Sequence, residues 1–156
     1  MTAHTLILGL GNPLMADDGA GIQVVELLRQ RPLPAGVEVQ EGGTAGLGLV
    51  PRLAEAQRVI LIDCVRFGGV AGEWRRFMLD ETELLGQEGT FSLHHASLRD
   101  ALLLAEAVGM LPSEVIIYGI EPACVQWDQP MSKVVAAALP EIAAAVLEET
   151  SGLVSD

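Results

Sequence analysis

The sequence predicts an α/β chain: a three-layer sandwich whose mostly parallel sheet is covered by helices on both faces. Three observations lead there. Short β-type apolar runs alternate along the chain with stretches whose apolar residues recur at helical spacing. The run 59–62, Val-Ile-Leu-Ile, is apolar without interruption, as a strand buried on both faces requires. At 156 residues, half of them apolar, the chain has the size of one domain able to bury roughly two-thirds of its unfolded surface. Residues 1–156 are therefore read as a single domain.

The elements follow in order. Residues 5–8 form a first strand that leaves through Gly9, and from Gly19 onward Ile22, Val25 and Leu28 fall on one helical face. Pro32 and Pro34 end that helix. Residues 37–40 alternate as a strand until Gly42 and Gly43, and 48–56 has the size of a short helix. The strand 59–62 is expected to stop at Asp63. Residues 73–79, with Trp74 and Phe77, read as a strand reached by a connection short enough for an antiparallel hairpin. Residues 97–108 are a leucine-rich helix and 114–120 (EVIIYGI) the last strand. Residues 131–149 are an alanine-rich helix in which Pro140 predicts a kink, or a restart with proline in a first turn.

Composition narrows the function. Twenty-one acidic residues against nine Lys and Arg give a net charge of −12, so there is no basic face to neutralise nucleic-acid phosphates. A metal or a cationic partner suits this balance better, although acidity serves solubility equally well. No apolar run approaches the roughly 18 residues of a membrane span, and the N-terminus has no signal-type segment. A soluble, cytoplasmic protein without a membrane partner is expected. Cys64 and Cys124 stand sixty positions apart with no CxxC pattern, so buried thiols are the reading and neither a disulfide framework nor a zinc knuckle.

In open α/β sheets, sites form at the carboxyl ends of the strands. The polar residues there are Asp17 and Asp18 after the first strand, Asp63 after the third, and His94 and His95 before the helix that starts near Ser97. Two carboxylates and an imidazole make an oxygen and nitrogen set suited to a divalent ion such as nickel or zinc. Plainer roles stand beside this one. Asp17 or Asp18 serves equally to cap the first helix, Asp63 to begin a turn, and either histidine to start a helix.

Two other chemistries fit less well. Gly9 and Gly11 match the first two glycines of GxGxxG, and Glu41 lies where a ribose-binding acid belongs. However, Leu14 replaces the third glycine, Pro13 removes an amide donor, and Asp17 and Asp18 set negative charge where a pyrophosphate would lie. Ser92 and Ser97 neighbour the histidines, but no GxSxG elbow exists and neither cysteine has protease-type flanks.

Five segments carry a resemblance: LGLGNPLMADDGAG (8–21), EGGTAGLGLV (41–50), LIDCVRFGG (61–69), SLHHASL (92–98) and YGIEP (118–122). In this order the chain resembles the hydrogenase maturation endopeptidases, which remove a C-terminal extension from the large subunit of nickel-iron hydrogenases. The resemblance implies a twisted sheet of five strands, one antiparallel, with helices on both faces. It also implies three metal-contacting, catalytic positions: Asp18, where many relatives carry glutamate, Asp63, and His94, which the preceding Ser-Leu aligns in preference to His95. The implied partner is the large-subunit precursor, and the implied metal is nickel carried by that substrate, with another divalent metal in isolation as a further option. Because no conventional nucleophile is visible, a metal-dependent binding module or chaperone that holds the precursor without cutting it is the alternative. The glycines of GGTAG and FGG either leave room for an extended substrate backbone or only make tight turns.

Overall fold

The computed structural model of the chain describes residues 4–44, 46, 48–79, 92, 93 and 96–152. In order, the elements are β1 (Thr5–Leu10), a 3-10 turn (Ala16–Gly19), α1 (Ala20–Arg29), β2 (Val37–Gly43) and α2 (Leu49–Leu53). There follow β3 (Arg58–Arg66), β4 (Trp74–Met78), β5 (Ser92–Leu93), α3 (Ala96–Ala107), β6 (Glu114–Ile120) and α4 (Lys133–Gly152).

The strands lie side by side as β2-β1-β3-β6-β4, with the two-residue β5 paired to the far end of β3. β1, β2, β3 and β6 are parallel, whereas β4 runs antiparallel along β6. This is the anticipated five-stranded mixed sheet, with β5 as a short addition. Alternation along the strands divides the core in two. Leu6, Leu8, Val59 and Leu61 face α2 and α3, meeting Leu53, Leu98 and Leu102. Ile7, Ile60, Ile62 and Ile116 face α1 and α4, meeting Val24, Leu28, Ile142 and Val146.

The chain leaves β1 toward β2 on one side, then crosses to β3 on the other. The carboxyl ends of β1 and β3 thus form the switch point of the sheet, where a crevice is expected. The start of α1 is seated directly on it. A β-carbon at Gly21 would lie 2.3 Å from the Ile62 carbonyl oxygen and 2.5 Å from that of Leu10, so only glycine lets the helix approach the end of β1 and the middle of β3.

Three expectations need correction. β3 does not stop at Asp63 but runs to Arg66, because β6 pairs Asp63 and Cys64 with Gly119 and Ile120, and β5 pairs Val65 and Arg66 with Leu93 and Ser92. The hairpin between the third and fourth strands does not form. Both edges of β3 are taken by β1 and β6, so β4 passes over and joins the outer edge of β6. Pro140 does not restart the last helix, which is continuous from Lys133 to Gly152. Proline removes the bond to the carbonyl four residues back; Ala136 and Pro140 are both exposed, so water can take its place. Among the described residues no helix is long and apolar enough to cross a membrane.

Candidate functional site

The turn after β1 is fixed by its own side chains. Gly11 has φ +126°, and a β-carbon there would lie 1.8 Å from the Asp18 carbonyl oxygen. The Gly11 amide donates to the Gly43 carbonyl at 2.8 Å, which ties the turn to the end of β2. The Asn12 amide donates to Asp18 Oδ2 at 2.8 Å, and Asn12 Oδ1 accepts the Leu14 amide at 2.9 Å. Asn12 thus supplies the Asx-type turn, and Asp18 closes it. Ala16, at φ 52°, takes a left-handed backbone that a residue with a β-carbon adopts only under constraint.

Asp17 and Asp18 are both fully buried, but they serve different surroundings. The Asp17 carboxylate accepts the amides of Ala123 at 2.8 Å, Cys124 at 3.0 Å and Ser132 at 2.7 Å, and the Ser132 hydroxyl at 2.9 Å. Its own amide donates to the Cys124 carbonyl at 2.9 Å. Asp17 is therefore structural, as one aspartate of the pair was expected to be, but it does not cap its own helix. Neither the 3-10 turn nor α1 has a side-chain cap. Its charge sits at the start of α4 instead, where Ser132 leads into the helix and the helix dipole favours an anion.

Asp63 lies in β3 one residue beyond Ile62, the last partner of β1, and is fully buried. Its Oδ1 accepts the amide of Cys64 at 2.8 Å. The Cys64 thiol in turn donates to the Asp17 carbonyl at 2.8 Å, stitching the end of β3 to the 3-10 turn. Burial pushes the Cys64 thiol well above its ordinary range, and the charges of Asp63, Asp18 and Asp17 push it further. Cys64 is thus a protonated packing group, as its sequence context suggested.

His94 and His95 lie outside the described residues, as does any contact they make. Their segment is bracketed by Leu93, which pairs with Val65 two residues beyond Asp63, and by Ala96, which opens α3. Among the described residues no three His, Cys, Asp or Glu are placed to hold a metal ion.

Two further features involve segments that the sequence singled out. Glu121, 7% exposed, accepts the amides of Phe67 at 2.9 Å and Gly69 at 3.0 Å, so the YGIEP and FGG segments are one hydrogen-bonded unit. The pairing joins residues more than fifty positions apart; the two motifs were visible, their connection was not. The second is a cleft of about 200 Å³ beyond the end of β2, lined by Gly42, Thr44, Gly46, Gly48, Leu49 and Arg52. Arg52 is held by Gln40 and by the Glu41 carbonyl. A β-carbon on Gly46 or Gly48 would meet nothing within 4 Å, whereas one on Gly42 would strike Leu10.

With Asp18 in the turn after β1 and Asp63 inside β3, the family assignment rests on comparison. The model of the HycI hydrogenase maturation protease family matches residues 22–149. The chain belongs to the hydrogenase maturation proteases. It is 39% identical over 121 residues to the hydrogenase expression/formation protein HupM of Azotobacter chroococcum, covering 77% of this chain and 58% of that protein. For the corresponding HoxM protein of Azotobacter vinelandii the share is 60%, so the chain spans about three-fifths of the first curated relatives. Among solved structures it superposes on the hydrogenase maturating endopeptidase HybD of Escherichia coli with a TM-score of 0.83 at 28% identity, covering 96% of this chain and 93% of that one. The [NiFe] hydrogenase maturation protease HybD of Thermococcus kodakarensis gives 0.76 at 25% identity, with 94% and 99% covered. The family's mixed sheet and helical layers are those described above.

Proposed function

We propose that this chain is an endopeptidase that removes the C-terminal extension of a nickel-iron hydrogenase large-subunit precursor after nickel insertion. Asp18, Asp63 and His94 recognise the nickel that the substrate carries. The observation that carries the reading is the burial of Asp18 and Asp63 at the β1/β3 switch point of a chain in this family. The relatives' names supply the hydrogenase and the endopeptidase activity, and the Thermococcus relative's name the nickel-iron class. Carboxylate oxygens with one imidazole form a ligand set that nickel accepts. Two buried carboxylates near the switch point support a cation brought by the substrate. The setting is the cytoplasm, whose reducing conditions suit two free cysteines.

The test incubates the purified protein with nickel-loaded and nickel-free precursor and follows release of the C-terminal peptide by mass spectrometry. Cleavage of the nickel-loaded form alone is the expected result. Tight association with an unchanged precursor mass would assign the chain to the non-cleaving alternative, and absence of both would end the proposal.

A further inference from the structure

Two exposed apolar side chains stand on the loops that build the candidate site. Leu14, 65% exposed, projects from the turn after β1, and Trp127, 61% exposed, from the loop between β6 and α4. The loops are bound together: the Asp128 amide donates to the Leu14 carbonyl at 3.0 Å. Beneath that bond, Asp17 clamps Ala123, Cys124 and Ser132. Both loops also hold left-handed backbone at non-glycine residues, Ala16 at φ 52° and Asp128 at φ 61°. Aspartate adopts this conformation readily, whereas at Ala16 it persists only where the surroundings enforce it.

The composition of this lip is that of an interface centre. Residues 12–14 carry no charge and residues 123–130 only Asp128, in a chain of net charge −12. Depletion of charge around an exposed tryptophan distinguishes contact surface from ordinary solvated surface. The lip is continuous with the candidate site, because Leu14 and Asp18 belong to one turn closed by Asn12.

We infer that Leu14 and Trp127 form a docking lip that grips apolar side chains of the precursor's C-terminal segment and so presents the bond to be cut. This rests on the endopeptidase reading above. It adds a contact made by substrate wherever cleavage occurs, so its energy appears in binding rather than in the chemical step.

The experiment measures kcat and KM for cleavage of nickel-loaded precursor, and its affinity by surface immobilisation, for wild type, Trp127→Ala, Leu14→Ala and Trp127→Phe. An exposed tryptophan at the centre of a contact is expected to cost about tenfold or more in KM and affinity when truncated. The value of kcat stays within about twofold, phenylalanine restores most of the affinity, and thermal midpoints are unchanged. Wild-type kinetics in Trp127→Ala and Leu14→Ala would overturn the lip while leaving the endopeptidase reading intact. Conversely, a wild type that binds without cutting would end that reading, yet loss of affinity in Trp127→Ala would still uphold the lip. A concentration-dependent dimer that Trp127→Ala dissociates without changing KM would assign the patch to a second copy of this chain and overturn the proposal.

Discussion

Adjacent aspartates in this chain hold different parts of the fold. Asp17 uses both oxygens to hold amides from a loop and a helix start more than a hundred positions away, while Asp18 closes the turn that borders the switch point. Truncating Asp17 leaves several amides without an acceptor, and one such buried loss costs about 1–3 kcal/mol. Asp17→Ala is therefore expected to lower unfolding free energy by about 3 kcal/mol in urea, and Asp17→Asn by less because it keeps one acceptor. Asp18→Asn keeps the acceptor that Asn12 requires but removes the charge. It should retain the wild-type urea midpoint closely and lose precursor cleavage, as should Asp63→Asn and His94→Ala. Full cleavage by any of these three would remove that residue from the site. The sequence offered either aspartate as a cap of the first helix; the clamp that Asp17 makes instead was hidden, because nothing local to ADDG signals a partner at Ser132.

At the scale of elements, what could be read was what local pattern determines. The strand 114–120 and the helices near residues 20, 49 and 97 appear where apolar spacing and glycine or proline punctuation put them. Two features depended on which strand lies beside which. β3 outruns its apolar core because β5 and β6 extend it, and β4 avoids its sequence neighbour because both edges of that neighbour are occupied. The candidate site was legible as a set of strand ends, but the clamp beneath it was not. Glycines of similar appearance also differ in what they do. Gly21→Ala gains helix propensity of up to about 1 kcal/mol, yet forces a methyl group against the carbonyls of Leu10 and Ile62. Overpacking of about 1–3 kcal/mol should outweigh that gain and lower the denaturation midpoint. Gly48→Ala, facing open space with φ −62°, should leave the midpoint unchanged. Equal midpoints for Gly21→Ala and wild type would show that α1 does not rest on β1 and β3.

Across the whole molecule, a second polar network gathers about the start of β3, away from Asp63. Near the start of β3, Arg58 pairs with Glu114 and Glu149 at 2.7 Å each, and Arg76 of β4 meets Glu149 at 2.6 Å. The Tyr118 hydroxyl donates to the same carboxylate at 2.5 Å. One carboxylate from the last turns of α4 thus joins β3, β4 and β6. Burial alone would raise the Glu149 carboxyl, but the hydrogen bonds from Arg76 and Tyr118, then the charges of Arg76 and Arg58, hold it below the ordinary carboxylate range. Tyr118 is pushed upward, first by burial and then by its bond to Glu149, so it remains a protonated donor at neutral pH. A carboxylate with a depressed folded pKa contributes stability that is fully present above its unfolded value, near 4.5, and is lost as pH falls through the folded one. Thermal midpoints of wild type and Glu149→Gln should therefore differ most at pH 6–7, with wild type the higher, and converge as pH falls below the ordinary carboxylate range. A constant difference down to pH 3 would mean that Glu149 acts by packing and not by charge. Cleavage by Glu149→Gln at 20 °C should match wild type, because Glu149 holds Arg58 at the start of β3, five residues before Asp63. Reduced kcat in the folded variant would show that this network is coupled to the candidate site.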